Sequence, residues 1–135
     1  MLTAAIYDVL SGDATLTAML GTYQSAPAVF TTDPAPGDAV LPYIVTAGEV
    51  VDTPEDTKTT RGRDVWRDVR CYAPATGSAA TVEAMAERVR ALLHRQALVI
   101  EGFVWVYALC TGPIVADEPY AYGRIVTIQL RCEEI

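Results

Sequence analysis

The chain has 135 residues, 51% apolar and 20% charged, which matches the size and composition of one compact domain and excludes a chain disordered throughout. Seventeen acids against ten bases give a net charge of −7, without the basic patch that a general nucleic-acid binder needs. The acidity is uneven: Asp8, Asp13, Asp33, Asp38, Glu49, Asp52, Glu55 and Asp56 fall within residues 1–57, and that segment holds no base. The longest apolar run, Phe103 to Cys110, is far short of the roughly 18 residues of a membrane span, and the opening residues carry no readable secretory signal. Synthesis in a reducing cytoplasm is the resulting expectation.

Leu2, Ile6, Val9 and Leu10 form one helical stripe that starts at Thr3 or the terminus. Ser11-Gly12 breaks it, Asp13 is placed to cap a second turn, and Leu16, Met19 and Leu20 resume the apolar face before Gly21. Residues 22–42, with Pro27, Pro34, Pro36 and Pro42, read as an irregular connection around a short edge strand, Ala28-Val29-Phe30. Leu41 to Val51 is β-branched and aromatic and predicts one long strand. Its partner, Arg63 to Tyr72, puts Val65, Val69 and Cys71 on one face and Trp66, Asp68, Arg70 and Tyr72 on the other. Between them Asp52–Gly62 is polar throughout, and is expected to project as a mobile arm.

Ser78 is the expected cap of a helix running to about Arg95. Val82, Met85, Ala86, Val89 and Leu93 form its buried stripe, with Glu83, Glu87, Arg88 and Arg90 in water. Three strands follow in expectation: Leu98–Ile100, Phe103–Cys110 and Ile125–Cys132. The predicted fold class is therefore α+β, a single domain with an antiparallel (mixed) sheet and helices packed on one face.

No set of catalytic groups converges in the sequence. His94, the one histidine, sits at a helix end and reads as covering the last turn or balancing the dipole. Cys71, Cys110 and Cys132 are odd in number, lack metal-ligand spacing and lie in strand-like runs, so they read as buried free thiols. Asp52, Glu55 and Asp56 lack the alternation and central glycine of a calcium loop, and Asp117-Glu118 and Glu133-Glu134 are adjacent pairs that a strand would point apart. No P-loop or dinucleotide fingerprint occurs. The expectation is a protein without enzymatic activity, cofactor or metal.

Several segments in order carry a likeness: Ala4 to Leu10 with Leu16 and Leu20, Leu41-Pro42-Tyr43-Ile44-Val45, the polar arm, Asp64 to Val69, and Val82 to Val89 leading into Leu92-Leu93-His94. Together they resemble the family of small phage tail-terminator or tail-completion proteins, also found in phage-like gene transfer agents. Residues 31–40 are where the likeness is hardest to follow. It implies a virion protein of the tail-neck junction, assembled in the host bacterial cytoplasm. Its role would be a hexameric ring that caps the tail tube and joins it to a neck or stopper protein, with DNA passing through the lumen unbound. Spheres of about 36 Å, the size of such a chain, leave a hole of about one diameter when six close a ring, wide enough for a duplex of about 20 Å. The candidate ring-interface or lumen residues are Asp33, Asp38, Glu49, Asp52, Glu55, Asp56, Lys58 and Arg61. Alternative readings are another neck component of the stopper type, or a small ligand-binding or enzymatic module.

Overall fold

The computed structural model describes residues 2–135. Two short helices open it, α1 (Thr3–Ser11) and α2 (Ala14–Thr17), and the apolar stripe of Leu2, Ile6, Leu10 and Leu16 is fully buried. Asp13 caps α2 as its position predicts, its carboxylate accepting from the Leu16 N–H at 2.8 Å. The same carboxylate takes both Nε and Nη2 of Arg88 at 2.9 and 2.7 Å, tying the helical opening to the later helix. The Arg88 hydrogen bond holds the Asp13 carboxyl below its ordinary range. Asp13→Ala removes cap and tie together and is expected to lower stability by about 1–2 kcal/mol, read from the urea midpoint.

The irregular connection contains a two-stranded hairpin, β1 (Thr22–Tyr23) and β2 (Ala26–Pro27), turned by Gln24 and Ser25 at positive φ. The edge strand follows as β3 (Val29–Phe30), parallel to β4 (Tyr43–Val45). The expected long strand over 41–51 is broken: β4 stops at Val45, and β5 (Glu49–Pro54) resumes after Thr46–Gly48. Both lie end to end on the same edge of β6 (Gly62–Pro74), Tyr43 opposite Tyr72 and Pro54 opposite Arg63. The break has a cause. The Arg67 side chain points to the core face at that level, and its guanidinium takes the Thr46 hydroxyl and carbonyl, each at 2.7 Å, as partners, so Thr46 leaves the ladder.

Helix α3 (Ala80–Leu93) is preceded by Ala79 at the N-cap, and no side chain caps it. Ser78 lies one residue too early to do so, its hydroxyl accepting from the Ala80 N–H instead. The predicted stripe of Val82, Met85, Ala86, Val89 and Leu93 is buried as expected. Arg88 and Arg90 are half-buried rather than free in water. Leu98–Ile100 is no strand; Leu98 and Ile100 are buried in an irregular segment with a single bridge, Ile100 to Phe103. Two long strands close the chain, β7 (Phe103–Val115) and β8 (Ala121–Glu134).

The main sheet runs β3, β4, β6, β8, β7, with β5 beside β6 next to β4. It is antiparallel apart from the β3–β4 pair, and the helices cover one face, so the α+β class holds. The covered face carries the core: Val65, Val69, Cys71, Val126, Ile128, Leu130, Cys132, Ala108 and Cys110 against α1 and α3. The three thiols are free and buried, and burial pushes Cys71 up to about 12 and Cys110 to about 11. On the opposite face a second, smaller cluster of Phe30, Tyr43 and Tyr72 stacks edge-on with Tyr23, ring centroids 5.2 to 5.6 Å apart, beneath Ala35, Ala39 and Leu41. That covers one end of the outer face and leaves the rest open.

Candidate functional site

Three surfaces remain: the hairpin joining β5 to β6, the open outer face of the sheet, and the sheet's two lateral edges. The polar segment 52–62, expected to project as a mobile arm, is a hydrogen-bonded hairpin. Pairing continues past β5 through Glu55 N–H to the Gly62 carbonyl and Thr57 N–H to the Thr60 carbonyl, both at 2.9 Å. The Thr57 hydroxyl closes the turn by accepting the Thr60 N–H at 3.0 Å. Gly62 is required for this closure, since a Cβ there would run into the Glu55 carbonyl oxygen. Gly62→Ala is expected to force the hairpin open while the core stays folded. Amide exchange at Glu55 and Thr57 rises to loop values, and protection in β6 beyond Val65 and in β8 stays as in the parent.

The acids of the hairpin are answered within the chain. Asp52 pairs with Arg63, Glu55 with Arg131 at 3.0 Å, and Asp56 accepts the Gly62 N–H. Asp52, Asp56, Arg61, Arg63 and Glu134 line one concavity, and Lys58 and Arg61 sit at the tip with Thr57–Thr60. Asp33 lies apart, in a small hollow with Val50, Asp68 and Arg70. Asp38 is in the loop over the aromatic cluster, accepting the Tyr23 hydroxyl at 2.9 Å. The structure thus brings Asp52, Asp56 and Arg61 together and leaves Asp33 and Asp38 elsewhere.

Glu49 is different in kind. Its carboxylate accepts from the Leu2 N–H at 3.0 Å and from Arg67 Nη1 at 3.1 Å, against a guanidinium with no exposure at all. Arg67 also donates to the Thr3 hydroxyl at 3.1 Å. Burial by itself pushes the Glu49 carboxyl up; the Leu2 N–H, its own backbone N–H and Arg67 outweigh it and hold the group at about 2. Burial likewise draws Arg67 down, opposed by Glu49. This pair joins α1, the β4–β5 break and β6, and sequence reading missed Arg67 because its partners lie 18, 21 and 64 positions away.

Across the open face, register places Val51, Trp66, Gln129 and Leu109 in one row and Thr53, Asp64, Arg131 and Tyr107 in the next. The centre is polar and the margins are apolar. At one margin β7 exposes Val104, Val106, Leu109, Ile114 and Val115, and at the other β5 exposes Val50 and Val51. Half of the β7 edge is sealed by the end of α3. The Cys110 N–H donates to His94 Nδ1 at 3.0 Å, the Arg95 N–H donates to the Ala108 carbonyl at 2.7 Å, and Arg90 donates to the Cys110 and Gly112 carbonyls at 3.1 and 2.8 Å. His94 therefore acts on a strand edge and not only on its own helix.

Among the described residues no group of three or more His, Cys, Asp or Glu side chains is placed to hold a metal ion. No helix is long and apolar enough to cross a membrane. Charges paired within the chain and strand margins left partly open mark the surface of an α+β protein. The chain belongs to the tail completion protein gp17 family, whose model matches residues 4–128. Among solved structures it is similar to a chain from the virion of a native gene transfer agent particle, with 26% identity and a TM-score of 0.77 over 98% of this chain and 93% of that one. No curated protein sequence matches it.

Proposed function

We propose that this chain is a virion protein of a phage or gene transfer agent, a ring subunit that closes the tail tube and joins it to the neck. The family match over residues 4–128 carries the reading, and the likeness to a virion chain along nearly the whole length supports it. In this reading the chain works as a hexamer, contacts the tube protein on one flat face and the neck or stopper protein on the other, and lets DNA through without binding it. It performs no catalysis and takes no cofactor.

The hairpin tip, Lys58 and Arg61, is the docking contact to a neighbouring virion protein, and its acids Asp52, Glu55 and Asp56 hold the hairpin in shape through Arg63, Arg131 and Gly62. Asp33 and Asp38, on the loops of the outer face, remain for the lumen or the ring contact. Glu49 serves the fold of each subunit.

Removing the chain from a producing strain tests the reading. Filled heads and tube-bearing tails should then accumulate apart in negative-stain images, and joined particles that still deliver DNA would overturn it. Lys58→Glu with Arg61→Glu should give the same separation with the isolated subunit melting as before, because both residues lie at an exposed turn.

A further inference from the structure

We propose that neighbouring copies join strand to strand: the open stretch of β7, Val104–Tyr107, pairs with the free edge of β5, Val50–Thr53, of the next copy. The inference rests on the ring reading and supplies its contact.

Strand β7 runs 13 residues along a sheet margin without a single charged side chain, the commonest device that blunts an edge, and its ladder to β8 is bulged between Trp105 and Tyr107 and again between Thr111 and Ile114. On its open stretch Val104 and Val106 are 55% and 40% exposed, and no described residue bonds the outward backbone of Val104–Tyr107. From Ala108 to Gly112 the α3 seal bars a partner, which leaves Val104–Tyr107 as the open stretch nearest the start of the strand. The opposite margin offers the matching surface, with Val50 62% exposed and Val51 40% exposed.

Direction agrees as well. Because β5 is antiparallel to β6, β6 to β8 and β8 to β7, β5 and β7 run opposite ways. A copy added in the same sense therefore continues the sheet with an antiparallel pair, the geometry that makes the stronger ladder. Charge is complementary across the joint. The exposed Arg95, which has no carboxylate partner among the described residues, flanks the concavity along Trp105–Leu109. Asp33 flanks Val50 on the other margin, in a hollow that also holds Asp68 and Arg70. The two margins are different surfaces, so each contact is head-to-tail and leaves one free margin at either end, the condition for closing a ring.

The test is oxidative cross-linking in assembled particles of a chain carrying Val51→Cys and Val106→Cys, which stand opposite one another in this pairing. The three native thiols are buried and do not compete. The double variant should give a ladder of multimers on a non-reducing gel, and each single variant should stay monomeric. No ladder in particles that contain the chain would overturn the contact, as would dimers from Val106→Cys alone, which signify a two-fold β7–β7 pairing. Particles of the parent that lack the chain altogether would instead sink the ring reading. Should the double variant fail to enter particles, Val106→Asp decides: the isolated subunit should melt within about 2 °C of the parent while incorporation falls roughly tenfold or more, and parental incorporation would overturn the proposal.

Discussion

Glu49→Gln lowers the unfolding free energy by about 3–5 kcal/mol, because it leaves the Arg67 guanidinium buried beside a neutral partner that cannot repay its desolvation. The guanidinium has no exposed surface, and its other partners are neutral: the Thr46 hydroxyl and carbonyl and the Thr3 hydroxyl. Urea unfolding of the two proteins at neutral pH measures the difference, and a loss under about 1 kcal/mol would mean the pair is dispensable. Adding Arg67→Met to Glu49→Gln should restore part of the loss, since the uncompensated charge goes with the side chain. Acid acts on the same carboxylate, which backbone N–H donors and then Arg67 hold down against its burial. The Glu49 carboxyl is depressed from 4.5 to about 2 in the folded chain, so its contribution is complete above pH 4.5 and fades as pH falls toward 2. That amounts to roughly 3 kcal/mol across the window, and the variant should lose correspondingly less stability there.

Leu130→Ala should cost a comparable amount, about 3–4 kcal/mol. Leu130 is fully buried at the centre of β8, opposite Val65 on β6 and Ala108 on β7. Both neighbours are smaller than leucine and held in long ladders, so neither is able to swing into the space left, and the cavity persists. A truncation of the same size near a frayed end would relax and cost less. Calorimetry is the direct check. A loss under about 2 kcal/mol would show that α3 settles onto the sheet and fills the gap.

What the sequence disclosed follows the range of the interactions concerned. The stripe of α3 and the alternation in β6 and β8 are local periodicities, readable from side chains a few positions apart, and the core they predict is the core observed. The Asp13 cap was readable for the same reason, while its tie to Arg88 across 75 positions was not. The break between β4 and β5 is imposed by Arg67, whose own strand begins beyond the hairpin. A β-branched run cannot announce that one residue in its middle is claimed by a distant guanidinium. Leu98 and Ile100 mislead in the opposite way, apolar because they are buried and yet without a strand to pair with.

The candidate surfaces were legible only in part. The base-free acidic segment could be counted, but Glu49, Asp52 and Glu55 meet arginines at 67, 63 and 131, and so proved to be internal partners of the fold. The chargeless run of β7 stood in plain view as composition. Its meaning needed topology, which places it at a margin and α3 across half of it.

The buried thiols bear on durability. A protein that leaves a reducing cell inside a particle meets dissolved oxygen for as long as the particle persists, and an exposed thiolate would be oxidised or would link particles to one another. Here Cys71, Cys110 and Cys132 all lie within the sheet's covered face, and burial keeps Cys71 and Cys110 protonated far above neutral pH. Oxidation must therefore wait for the subunit to open. Oxidation of these thiols in air is then set by the unfolding rate, and a substitution that slows unfolding slows it without touching a cysteine.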